Sequence, residues 1–123
     1  MNFEQTPEFQ KDLKRLSKKW RSIIRDVEFV KPRIESLYVA REDIDINQYR
    51  ADMFATKKAA ILSSGAGGVE VVKMRLDVAD LGRSDKARIV FIAIRSDNEI
   101  LFVELYAKNE KEREDPKRYK KYL

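Results

Sequence analysis

Three strand-like segments follow one another along the chain, and they constrain the fold more than any other feature of the sequence. They cover residues 69–77, 87–95 and 100–107. The second, ARIVFIAIR, is apolar on both faces and rich in β-branched residues, which is typical of a central strand covered on both sides. Only the polar residues 96–99 separate it from the third segment. We therefore expect the last two segments to form a hairpin, with the first pairing beside it.

The N-terminal part carries two amphipathic helix patterns. Thr6 and Pro7 resemble an N-cap followed by proline at the first helical position. Apolar residues then recur at helical spacing. They are Phe9, Leu13, Leu16 and Trp20 in the first pattern, and Ile23, Ile24, Val27, Val30, Ile34, Leu37 and Tyr38 in the second. Pro32 interrupts the second pattern, and we expect it to kink or split that helix because it removes a hydrogen-bond donor.

The remaining segments complete the predicted architecture. Phe3 can begin an edge strand, residues 41–47 predict a loop, and residues 49–62 suggest another short helix. Residues 63–68 contain three of the four glycines and predict a turn; a phosphate-binding loop would need a helix after it, and a strand follows. Asp115 and Pro116 predict a short basic helix over residues 117–123. The sequence thus predicts one α+β domain over residues 1–123, with an N-terminal helical hairpin packed on a small, mainly antiparallel sheet and a short C-terminal helix.

The amino-acid composition limits the types of reaction and ligand that we expect, and it indicates a cellular compartment. The chain has no cysteine and no histidine, so disulfides, thiolate chemistry and the commonest acid–base residue and metal ligand are excluded. With no spaced Asp/Glu cluster, we expect neither a metal nor a cofactor. No apolar run approaches membrane-spanning length, and no signal pattern opens the chain, so we expect a cytoplasmic protein without a membrane partner. Of the net charge of +5, +3 lies in residues 108–123; such a tail either binds an acidic partner or phosphate, or is simply solvated.

Cations repeatedly lie at or next to the strand-like segments. Lys73 and Arg75 are two residues apart, so their side chains leave the sheet on the same face. Arg88 begins the neighbouring strand and Lys108 follows the third, so the four can converge if the strands are adjacent. Because like charges repel, such a cluster points to a polyanionic ligand. The alternative is a structural role in which carboxylates of the same chain pair with these cations. The candidates are Glu70, Asp77, Glu104 and Glu110.

Four stretches occur in an order found in one known family. They are TPEFQKDLK at residues 6–14, a Gly-Gly…Lys-Met-Arg pattern at 67–75, a Gly-Arg loop ending in RIVF at 82–91, and LYAKNEK at 105–111. In this order, and with a short C-terminal helix after them, they resemble RelE/HigB-type toxins of bacterial toxin–antitoxin modules, within the RelE/ParE superfamily. The resemblance spans most of the chain and is least in residues 41–64.

The resemblance implies a small, metal-free endoribonuclease that cuts mRNA on the ribosome, inhibits translation and is held inactive by a cognate antitoxin. In that reaction a ribose 2′-hydroxyl attacks the adjacent phosphate, and cations stabilise the developing charge. Carried over by motif, the catalytic residues are Lys73, Arg75, Arg88, Lys108 and Lys111, and the RNA-binding residues are Arg83, Asn109 and Tyr119.

The sequence departs from some relatives because it lacks an active-site histidine. A Lys, Tyr or Glu would have to act as the general acid or base, and their assignment stays open. Tyr119 can stack on a base or donate a proton, or it can pack the tail helix. The alternative functions are a ParE-like gyrase inhibitor and an RNA-binding relative without catalysis. The Lys-Asn-Glu segment at residues 108–110 favours the RNA-cleaving branch over the gyrase-inhibiting one.

Overall fold

A computed structural model of the chain, which describes residues 1–82 and 86–123, contains one five-stranded sheet. The strands are β1 (Asn2–Gln5), β2 (Ala59–Gly65), β3 (Val69–Leu76), β4 (Ala87–Ile94) and β5 (Glu99–Ala107). The helices are α1 (Pro7–Ser17), α2 (Ile23–Glu35), α3 (Ile46–Ala55) and α4 (Lys117–Lys120). The sheet order is β1-β5-β4-β3-β2, with β1 parallel to β5 and the other pairs antiparallel. The predicted α+β layout is confirmed, as are the three central strands and the edge strand at Phe3.

One face of the sheet, the helix-covered face, packs against α1 and α2. Thr6 caps α1, since its Oγ1 accepts a hydrogen bond from the Phe9 N–H at 3.1 Å. The Phe9 ring stacks on Phe102 of β5 at 5.2 Å between centroids, and Phe91 of β4 meets Phe102 edge-on at 6.5 Å. The apolar stripes of both helices pack in the same core as Val72, Met74, Ile89 and Leu105, with Leu13 and Tyr38 partly buried. Ile24, expected in the second stripe, is instead 53% exposed. The predicted helical hairpin therefore supplies one side of the core.

The other face of the sheet, the tail-covered face, carries a second apolar cluster. Its buried members are Val71, Val90, Ile92, Val103, Tyr106 and Tyr119. Tyr119 belongs to α4, so the C-terminal segment, residues 108–123, lies across this face. At the far end, Leu123 comes close to Gly65, where an added Cβ would lie 3.3 Å from the Leu123 side chain. Because both faces of the sheet are covered, every residue of β4 from Ala87 to Ala93 is buried.

Pro32 does not break α2, which runs without interruption from Ile23 to Glu35; the prediction of a split was wrong. Val30 and Ile34 are buried, whereas Pro32 lies on the exposed side of the helix. The N–H that proline lacks would have bonded the carbonyl of Glu28, which is also exposed. Water can satisfy that carbonyl, while the buried residues on either side hold the helix against the sheet.

The segment between α2 and β3 differs most from the prediction. Asp45 caps α3, accepting the N–H groups of Asn47 at 3.0 Å and Gln48 at 3.2 Å, so the helix begins inside the predicted loop. The helix ends ten residues later, and Lys57 reverses the chain with a φ of 59°. Residues 59–65 then form strand β2, so extending the helix to residue 62 was wrong. Within the predicted turn at 63–68, only residues 66–68 turn, with Gly67 and Gly68 at positive φ.

Candidate nucleic-acid interface

Three of the predicted site cations lie on the tail-covered face. In the register of β3 with β4, Arg75 is directly opposite Arg88, and Lys73 is opposite Val90. In the register of β4 with β5, Arg88 is opposite Tyr106. Residues paired across antiparallel strands share a face. Arg75, Arg88 and Tyr106 therefore form one row across three strands, with Lys73 in the next row.

The two arginines of this row differ in their access to solvent. Arg75 is exposed, and no carboxylate of residues 1–82 or 86–123 pairs with it. Arg88 is only 6% exposed, and its Nη1 donates to the Ala87 carbonyl at 3.0 Å. An incoming anion can thus reach Arg75 directly, whereas Arg88 lies under the surface.

Both predicted catalytic lysines that flank this row are ion-paired. Lys73 Nζ lies 3.0 Å from Glu114 Oε2, and Lys111 Nζ contacts Glu104. Glu104 is only 1% exposed, and its other oxygen accepts the backbone N–H of Asp115 at 2.7 Å. Each lysine is therefore partly neutralised by a carboxylate on the same face.

The other predicted site residues do not lie in the row of Arg75, Arg88 and Tyr106. Lys108 and Asn109 are exposed in the turn after β5, where the Lys108 N–H donates to the Lys86 carbonyl at 2.7 Å. Tyr119 is buried in the second apolar cluster and is not presented for stacking on a base. Arg83 falls outside the described residues.

Glu114 and the two phenols of this face have shifted pKa values. Burial raises the pKa of Tyr106 to about 12, and the charges of Glu114 and Glu104 add to the effect. Partial burial opposes ionisation of Glu114, but its backbone hydrogen bond and the Lys73 ammonium together lower its pKa. Burial also raises the pKa of Tyr119. At neutral pH the face therefore holds the protonated phenols of Tyr106 and Tyr119 beside the ionised carboxylate of Glu114.

Sequence reasoning missed Tyr106 and Glu114 as members of this site. The signal for Tyr106 was present, because it lies two residues before Lys108 and therefore on the same side of the strand. No comparable signal existed for Glu114, since it reaches Lys73 from a segment without regular structure, 41 residues away in sequence.

The structural alternative is supported for Lys73 and Lys111, which both pair with carboxylates of the same chain. Of the four carboxylates proposed as partners, Glu104 alone pairs with a predicted site cation within the described residues. The remaining three bind elsewhere: Glu70 to Arg50 and Arg95, Asp77 to Arg33, and Glu110 to Arg15. Glu70, a candidate partner in the structural alternative, does not reach the cluster, because it is opposite Ala93 and points to the helix-covered face.

A second charged cluster surrounds Glu70 and lines a cavity of about 380 Å³. Glu70 accepts a hydrogen bond from the Tyr38 hydroxyl at 3.0 Å and from Arg50 at 3.0 Å. The guanidinium carbons of Arg50 and Arg95 each lie 5.2 Å from the centroid of the Tyr38 ring. Arg50 also donates to the Leu37 carbonyl at 2.9 Å, so this cluster ties α3 to the end of α2 and to β3.

Metal and membrane sites are not found in the part of the chain that the structure describes. No three acidic side chains there are placed to hold a metal ion together. None of the helices there combines the length and the apolar composition needed to cross a bilayer.

Comparisons of the chain with known protein families, with curated proteins and with solved structures found no match. Function is therefore inferred from the side chains of the tail-covered face.

Proposed function

We propose that the chain is the toxin of a type II toxin–antitoxin module, a ribosome-dependent endoribonuclease that cuts mRNA and inhibits translation. The observation that carries this proposal is the row formed by Arg75, Arg88 and Tyr106 across three adjacent strands. The family resemblance supports it, because the same residues fall in the stretches that resemble RelE/HigB-type toxins. A small acidic antitoxin, the ribosome and mRNA are the expected partners.

The side chains of this row suit transfer of a phosphoryl group within RNA. The 2′-hydroxyl oxygen bonds to the phosphorus, the bond from phosphorus to the 5′-oxygen breaks, and the two guanidinium groups stabilise the charge on the non-bridging oxygens. The carboxylate of Glu104 on this face accepts the 2′-hydroxyl proton. Tyr106 keeps its proton at neutral pH and can give it to the leaving 5′-oxygen.

Expression of the wild-type chain without an antitoxin tests the proposal. We expect growth arrest and cuts in translated mRNA, phased by codon and absent from untranslated transcripts. Arg75→Ala should reduce cleavage by about 10²- to 10³-fold, as loss of one preorganised donor to the oxyanion does. Arg41→Ala is the matched control, because Arg41 is an exposed arginine in the loop before α3 and pairs only with Asp43 within the described residues. Growth arrest with intact transcripts, or equal cleavage by both variants, would contradict the proposal.

A second candidate is an RNA-binding protein without catalysis. It is favoured by the ion pairs of Lys73 with Glu114 and of Lys111 with Glu104, which occupy two of the expected catalytic cations. In that case the wild-type chain binds RNA, Arg75→Ala weakens the binding, and translated mRNA stays uncut. A gyrase-directed activity would instead appear as inhibited supercoiling, and a purely structural role as lost stability without any change in activity.

A further inference from the structure

We propose that the C-terminal segment is an intramolecular cover that competes with RNA for the tail-covered face and must move before RNA is cut. This inference rests on the proposed function of that face and adds its regulation. Two groups that the reaction needs lie beneath the segment. Glu104 and Tyr106 are each 1% exposed; Glu104 accepts the Asp115 N–H, and the Lys111 ammonium lies 5.3 Å from the centroid of the Tyr106 ring. A phosphate cannot contact these groups while the segment stays in place.

The cover presents its own anion to a cation of the site. Glu114 lies 3.0 Å from the Lys73 ammonium, at the distance that a phosphate oxygen would take. Glu114 is also held in its ionised form, since its backbone hydrogen bond and Lys73 outweigh the effect of burial and lower its pKa. The carboxylate therefore occupies Lys73 whenever the cover is closed, and RNA must displace it.

Apolar and polar contacts fix the cover along its length. Tyr119 is buried in the apolar cluster of the face, and Arg118 donates to the Val103 carbonyl at 3.2 Å and to Asp12 of α1. Near the end of the segment, Leu123 packs on Gly65 of β2. The segment is thus held at β5, at its middle and at the opposite edge of the sheet. Opening requires release of the Leu123 end, because the other end continues directly from β5.

A reversible lock tests this requirement. The double variant Gly65→Cys, Leu123→Cys introduces one thiol at each end of this contact. A Cβ at residue 65 would lie 3.8 Å from the Leu123 Cα, so the two cysteines are close enough to form a disulfide. The chain contains no other cysteine, so oxidation can form only this bond within one molecule. We expect the oxidised variant to bind a labelled single-stranded RNA oligonucleotide at least about tenfold more weakly than the reduced variant, because locking lowers the competent fraction. Ribosome-dependent cleavage should disappear on oxidation and return on reduction.

The outcomes separate this inference from the proposed function. If the oxidised and reduced forms bind RNA equally and cleave mRNA equally, the proposal that the segment is a cover is refuted. This holds whether or not the chain is a nuclease. Failure of the thiols to cross-link also counts against it, since the closed position brings them together. If oxidation blocks RNA binding but the reduced and wild-type chains never cut mRNA, the cover stands and the nuclease proposal fails. Absence of any RNA binding overturns both.

A pair of charge variants provides a second measurement. Glu114→Gln removes the carboxylate that occupies Lys73, whereas Glu112→Gln removes the same charge from an exposed position of the same segment. We expect only Glu114→Gln to tighten RNA binding, because Lys73 then meets a phosphate without first losing a carboxylate. Equal RNA affinities of the two variants would contradict the competition.

Discussion

Replacing Asp12 with alanine removes the carboxylate that joins α1, β5 and the C-terminal segment. Asp12 is only 2% exposed. Its Oδ2 accepts the backbone N–H of Leu105 at 3.0 Å and a bond from Arg118, and its Oδ1 accepts a bond from Arg15 at 3.0 Å. One side chain thus satisfies a backbone amide of β5 and two guanidinium groups.

The expected cost follows from what the truncation leaves behind. An unsatisfied buried N–H at Leu105 costs about 1–3 kcal/mol, and breaking a buried ion pair costs about 3–5 kcal/mol. The side chains of Arg118 and Arg15 stay 23% and 49% exposed, so water screens the guanidinium groups that lose their partner. Both costs arise from the same carboxylate and therefore overlap, so we take the low end of the ranges and do not sum them. We expect Asp12→Ala to lower the free energy of unfolding by about 3 kcal/mol. Asp12→Asn keeps an acceptor for Leu105 and should cost about half as much.

Urea unfolding followed by circular dichroism measures this change, with the slope m expected to stay constant. Asp43→Ala is the control, because Asp43 forms an exposed ion pair with Arg41 and should change stability by less than about 0.5 kcal/mol. If Asp12→Ala costs less than about 1 kcal/mol, the energetic role given to this buried carboxylate is wrong.

Core packing, helix capping and a buried phenol each give a separate test. Phe102→Ala should lower the free energy of unfolding by about 3–5 kcal/mol, because the fully buried ring stacks on Phe9 and would leave a cavity; urea midpoints measure the loss, and Phe102→Leu should lose clearly less. Thr6→Ala should cost about 1 kcal/mol in the same assay, since it removes the cap of α1, whereas Thr6→Asn should cost little. Because folding raises the pKa of Tyr106 from 10.0 to about 12, its contribution to stability is complete below pH 10 and is lost as the pH rises towards 12. Urea midpoints across that range should fall less steeply in Tyr106→Phe, and equal slopes would argue against the shift.

The strands could be predicted where burial leaves its pattern in the sequence. β4 is apolar throughout because helices cover one face and the C-terminal segment covers the other. β2 carries no such pattern: Ala59–Gly65 reads AAILSSG, without alternation, and its alanines favour a helix. It is a strand because it pairs with β3, through a register shift between Ile61 and Ser63. In such a segment, pairing with a neighbouring strand determines the secondary structure, and local propensity does not.

The site could be predicted only as far as side-chain alternation extends. The two-residue spacing places Lys73 and Arg75 on one face, as the register has them. Simple alternation in β5 would place Glu104 on the same face as Phe102. A bulge between the β4 partners of these residues, Val90 and Phe91, moves Glu104 to the tail-covered face instead. No pattern in the sequence predicts that bulge. The ion pair between Glu104 and Lys111 could therefore not be predicted from the sequence.

The parallel pairing of β1 with β5 has a consequence for synthesis of the chain. Asn2 pairs with Glu99 and Gln5 with Phe102, and α1 packs on that same last strand. The segments that leave the ribosome first therefore lack their main docking partner until the final strand is made, since the sheet closes across almost the whole length of the chain. Such long-range closure slows folding and keeps apolar helix faces uncovered during translation. A nascent chain of this topology stays without its native core until synthesis is almost complete.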